Sequence, residues 1–117
     1  MQINDLGSPV EKLPKSGEAR IFFDRRELTQ ILGVYGRMVA AGEWRDYALD
    51  SLSDRCVFSV FRRASESPLY RIEKRPALAR KQGAFSVTAQ QGQILRRGHD
   101  LGAVLKVFDK GRFAVVD

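Results

Sequence analysis

With 117 residues the chain has room for one hydrophobic core, and 44% hydrophobic with 29% charged residues is the balance of an ordinary globular domain. A single cysteine, Cys56, excludes an internal disulfide, and no apolar run approaches the roughly 20 residues that span a bilayer. The net charge of +6 is segregated: Arg55 to Arg97 holds ten basic residues against Glu66 and Glu73, a net of +8, while the remainder carries −2.

Residues 1–19 are polar, broken by Gly7, Pro9, Pro14 and Gly17, and have no repeated apolar face, so a flexible arm is expected there. They also lack an apolar stretch behind a basic start, which argues against a secretory signal and for a cytoplasmic location. Arg20–Phe23 suits a short strand. The clearest helix is Arg25–Ala41. Asp24 is placed to cap its first turn, Glu27 stands where the reciprocal acid of a capping box belongs, and Gly42 supplies a left-handed stop. Leu28, Ile31, Leu32, Tyr35, Met38 and Val39 follow helical spacing along one face. Gly33 and Gly36 are unfavourable inside a helix, which points to close packing against a strand or second helix.

The middle reads as β structure. Arg55–Arg63 is apolar on both faces near its centre, as an inner strand is. Ser65-Glu66-Ser67-Pro68 turns the chain into Leu69–Lys74, giving a hairpin. Pro76 opens a brief helical turn that Gly83 closes. Ala84–Ala89 alternates, with Phe85, Val87 and Ala89 on one side and Ser86 and Thr88 on the other. Gln90-Gln91-Gly92 turns it into Gln93–Arg97, a second hairpin. A last helix over Asp100–Asp109 carries Leu101, Val104, Leu105 and Phe108 on one face, is stopped by Gly111, and is followed by Phe113–Val116 as an edge strand or tail. The expected fold is α+β, a four-stranded antiparallel sheet with two amphipathic helices on one face, spanning residues 20–110.

The segments FDRREL, YGRMVAAGEWRDYALD, FSVFRRASESPLYRIEK and RRGHDLGAVL resemble, in order, a family of small alphaproteobacterial proteins known as a domain of unknown function. The resemblance covers roughly residues 20–110. It implies a bacterial cytoplasmic protein and carries no activity, cofactor or catalytic residue.

The residues themselves offer little chemistry. His99 and Cys56 lie 43 positions apart, whereas zinc sites need clustered ligands. Gly98-His99-Asp100 reads as the entry to the last helix, with Asp100 or His99 as its cap. Cys56, at the start of an apolar strand, reads as a structural thiol. Asp46, Asp50 and Asp54 recur every four residues, which on a helix lines one face; a solvated face opposing the basic middle, with Arg45 and Arg55 as partners, accounts for them better than a cation site. GxGxxG and lysine-containing phosphate loops are absent, so no cofactor is expected, and no nucleophile–base–orienter set supports an enzyme.

That leaves the basic segment. Arg62, Arg63, Arg71, Arg75, Arg80, Lys81, Arg96 and Arg97 are the candidate partner-binding residues. Fourteen of the twenty basic residues are arginine, whose planar fork suits carboxylate and phosphate. The expectation is a non-catalytic module engaging an anionic macromolecule, either an acidic protein surface or nucleic-acid phosphates, with Tyr70 and Phe61 as stacking candidates if exposed and core residues otherwise. The alternative is a structural or self-associating domain whose basic face is simply solvated. No membrane partner is expected, and the oligomeric state stays open.

Overall fold

A computed structural model describes residues 19–63 and 67–116, with side chains placed as far as Asp109. The expected arm, apart from Ala19, and Ser65 and Glu66 of the first turn lie outside the described residues. The architecture is α+β: α1 (Arg25–Ala40), β1 (Asp46–Ser51), β2 (Cys56–Phe61), β3 (Tyr70–Lys74), β4 (Phe85–Ala89), β5 (Ile94–Gly98) and α2 (Leu101–Val116). The strands form one antiparallel sheet in the order β1-β2-β3-β4-β5, each beside its neighbour in sequence.

The sheet therefore has five strands where four were expected, and the addition is β1. The acids that suggested a helix face explain why it was missed. A spacing of four is an even number, so Asp46 and Asp50 share one face of a strand as readily as one face of a helix. Tyr47, Leu49 and Ser51 fill the opposite face, and the alternation, with β1 paired from Asp46↔Phe61 to Ser51↔Cys56, decides in favour of strand.

Parity then assigns the two faces. Leu49, Phe58, Ile72, Val87 and Arg96 align across the five strands, as do Tyr47, Val60, Tyr70 and Ala89. This is the face the helices cover. Phe58, Val60, Ile72 and Val87 are wholly buried against Ile31, Val34 and Met38 of α1 and Leu101, Val104, Leu105 and Phe108 of α2. Trp44, following α1, packs edge-on against Phe108 with ring centroids 4.9 Å apart. β2 is buried over Cys56–Val60 on both faces, as its apolar centre predicts.

α1 begins with the capping box. The Glu27 N–H donates to Asp24 Oδ1 and the Asp24 N–H to Glu27 Oε1, both at 2.8 Å. Past its end Gly42 sits at φ +79°, the left-handed stop. Inside it, a Cβ on Gly33 or Gly36 would meet nothing within 4 Å among the described residues, so the close packing expected at these glycines is not seen there. Ile21 is not in a strand, but its N–H donates to Leu52 O at 2.9 Å and anchors the lead-in to α1 beneath the end of β1.

Pro76 opens a single 3₁₀ turn, and Gly83, which closes the loop behind it, is at φ +107° where a Cβ would collide with the backbone of Gly98. β5 joins β4 with a register shift between Val87 and Thr88, a bulge that leaves Leu95 unpaired. α2 continues through Gly111 to Val116 rather than stopping there. One glycine in a helix costs only about 1 kcal/mol relative to alanine, too little to end a helix by itself.

Candidate functional site

The opposite face of the sheet is overlain by no described helix or strand. Two cross-strand rows run over it, Ala48–Ser59–Arg71–Thr88–Ile94 and Asp50–Val57–Glu73–Ser86–Arg97. Val57, Ser59 and Ser86 on this face are only 7%, 6% and 1% exposed, although no described helix or strand overlies it. Each serine is a short side chain on an inner strand between long ones, Arg71 beside Ser59 and both Glu73 and Arg97 beside Ser86, so the taller neighbours shield it. Among the described residues the hydroxyls of Ser59, Ser86 and Thr88 make no side-chain hydrogen bond.

The basic residues divide by whether a carboxylate already answers them. Arg55 and Arg75 are both held between Asp54 and Glu73, at 3.3 and 3.4 Å for Arg55 and 3.0 and 3.2 Å for Arg75. Lys74 donates to Glu27 at 2.7 Å and to Phe22 O at 3.0 Å on the helix side. Arg71 and Arg97, half-buried on the uncovered face, have no carboxylate partner among the described residues; Arg97 Nη1 reaches only Gly83 O, at 3.5 Å. On this face Arg71 and Arg97 stand beside the hydroxyls of Ser59, Ser86 and Thr88, together with three acids: Glu73, already engaged, and Asp46 and Asp50 on the edge strand β1.

The eight sequence candidates thus fall into four groups. Arg71 and Arg97 lie on the same face, on adjacent cross-strand rows and with β4 between their strands. Arg62 and Arg63 follow β2 at the end of the sheet where β1 begins, and line a cleft of about 470 Å³ with Val39, Gly42, Glu43, Trp44 and Arg45. Arg75, Arg80 and Lys81 lie at the other end, Arg75 neutralised and the other two exposed. Arg96, level with Val87, belongs to the helix side of the edge strand β5. Arg45 joins this set through the cleft; its only signal in the sequence is its place two residues from Glu43 and beside Trp44.

Other candidates resolve into structure. Tyr70 meets the Phe108 ring edge-on at 5.1 Å on the helix side, so it is core, whereas Phe61 is half-buried on the uncovered face opposite Asp46. Asp100 caps α2, its Oδ2 accepting from the Ala103 N–H at 2.9 Å, while His99 is exposed. Burial pushes the Cys56 thiol up to about 12, with Lys74 pulling it down and Glu27 and Glu73 adding to the rise. A thiol held protonated in a core is no nucleophile. Desolvation and then the nearby Asp46 raise Tyr35, whose hydroxyl donates to Arg45 O at 2.7 Å. Asp46 and Asp50 lie on the uncovered side of β1 and Asp54 pairs with Arg55, so the three acids separate. Among the described residues no three His, Cys, Asp or Glu side chains gather as metal ligands would, and no helix is long and apolar enough to cross a membrane.

The family described as "Protein of unknown function (DUF2794)" matches residues 21–105, which takes in everything from the lead-in of α1 to the first turns of α2. No curated protein and no solved structure matches the chain.

Proposed function

The chain belongs to this family of proteins of unknown function, and we propose that it is a non-catalytic binding module that engages an anionic partner across the uncovered sheet face. The observation that carries this reading is the pair Arg71 and Arg97, half-buried on the sheet face opposite the helices and answered by no carboxylate among the described residues, while Arg55 and Arg75 nearby are. Guanidinium groups without a carboxylate partner among the described residues, flanked by the Ser59, Ser86 and Thr88 hydroxyls, suit phosphate or carboxylate oxygens, which accept from both. Arg62, Arg63, Arg80 and Lys81 at the two ends of the sheet extend the positive potential and steer an anion toward the middle without contacting it.

The test is titration of a labelled single-stranded oligonucleotide, and in parallel of labelled polyglutamate, at two salt concentrations. A labelled probe is needed because Trp44 is buried in the core and reports poorly on this face. Arg71→Glu with Arg97→Glu is expected to weaken binding by roughly a hundredfold, while Arg80→Glu with Lys81→Glu lowers it by less than tenfold. If the oligonucleotide is the better ligand, log affinity falls against log salt with a slope of about −0.7 per phosphate contacted. Preference for polyglutamate assigns an acidic protein as the partner. Absence of binding to both at low salt, or indifference to the double charge reversal, would overturn the reading.

A further inference from the structure

We propose that the cleft at the end of the sheet where β1 begins binds a small hydroxylated phosphate ester, held by Arg45, Arg62 and Arg63. It lies apart from the anion-binding face and takes a ligand of its own. Two elements bring the three arginines together. Arg45 stands immediately before β1, Arg62 and Arg63 immediately after β2, and the Arg45 N–H donates to Phe61 O at 2.8 Å. The hairpin thus sets three guanidinium groups around one cleft of about 470 Å³. None of the three makes a side-chain hydrogen bond or an ion pair among the described residues, unlike Arg55, Lys74 and Arg75.

The lining chemistry defines the ligand. Like charges side by side repel one another, and an anion among them relieves the repulsion. Each guanidinium is a planar fork of donors, and a phosphate group has oxygens enough for all three. The end of α1 does not use up these donors. The carbonyls of Arg37, Met38 and Val39 already accept from the amides of Ala41, Gly42, Glu43 and Trp44. The volume exceeds what a phosphate ion needs and falls among small-molecule pockets, which run from about 300 to 1,000 Å³. The same lining holds one carboxylate, Glu43, half-buried and without an ion-pair partner among the described residues. A carboxylate accepts hydrogen bonds and repels a bare anion. An ester that lays its phosphate on the arginines and turns a hydroxyl toward Glu43 satisfies both. Trp44, only 4% exposed, backs the cleft and keeps that end of it rigid.

Equilibrium dialysis of the full chain at constant ionic strength tests this with ribose 5-phosphate, inorganic phosphate and ribose. Ribose 5-phosphate is expected to bind saturably, one per chain, with a Kd below about 1 mM. Inorganic phosphate should bind about fivefold more weakly, and ribose not measurably. Arg45→Ala and Arg62→Ala are each expected to weaken the ester by about tenfold. Glu43→Ala should tighten inorganic phosphate by about threefold and abolish the preference for the ester, a reversal that general loss of stability would not produce. Arg71→Ala with Arg97→Ala is expected to leave the Kd within about twofold, which separates this site from the anion-binding face. Arg45 and Arg62 are exposed, so circular dichroism of their variants should remain that of the parent. Binding of the ester that is absent or unsaturable, that survives Arg45→Ala and Arg62→Ala, that is no tighter than that of inorganic phosphate, or that is lost with Arg71 and Arg97 would each overturn the proposal.

Discussion

Cys56 and Gly83 show how strongly single positions are constrained away from the candidate surface. The Cys56 side chain is fully enclosed between β2, the lead-in to α1 and the Lys74–Glu27 pair. Aromatic disulfide reagents should therefore label it only at the rate of unfolding, and labelling in denaturant should be complete within seconds to minutes. Its thiol is held protonated up to about pH 12 in the folded state, against about 9 when the chain is unfolded. The unfolded state consequently releases a proton first as pH rises, so the contribution of this site is fully present below pH 9 and is lost toward 12. Urea midpoints measured across that interval should fall more steeply for the parent than for Cys56→Ala. Gly83 and Gly92 make a matched pair. Both have positive φ, but a Cβ on Gly83 strikes the Gly98 backbone, whereas one on Gly92 meets open space. Gly83→Ala is expected to destabilise by more than about 3 kcal/mol and Gly92→Ala by about 1 kcal/mol, read from urea denaturation.

Among the elements, those with chemically marked ends were legible in the sequence and those without were not. α1 was readable because Asp24 and Glu27 sit at the only spacing that lets each accept the other's N–H, and Gly42 marks the stop. Asp24→Ala removes one arm of that box and should cost about 1 kcal/mol in thermal or urea unfolding. The two central hairpins were readable because Val57–Phe61 and Phe85–Ala89 have the composition of inner strands. β1 was not, since Tyr-Ala-Leu framed by aspartates at i and i+4 satisfies either period, and only pairing with β2 breaks the tie. The length of α2 was hidden for a related reason: a glycine is a weak stop when no left-handed conformation follows it, and Gly111 is not among the positive-φ glycines.

For the molecule as a whole, the basic segment proved to be real in sequence and divided in space. Charge counted along the chain cannot reveal that Arg55 and Arg75 fold back onto Asp54 and Glu73, because the pairs are set by strand register and by the turn before β2. Of the seven basic residues left after the pairing of Arg55, Lys74 and Arg75, only Arg71 and Arg97 lie on the sheet face opposite the helices within the strands. The strand order has a separate consequence. Because every strand lies beside its sequence neighbour, each can be added to the sheet as soon as it emerges from the ribosome, without waiting for a distant segment. α1 is made first and can already shelter the inner side of β1 and β2. The side of β3 and β4 that α2 covers stays bare until α2 itself has been made, so a nascent protein stalled before Leu101 would present Ile72, Phe85 and Val87 to chaperones.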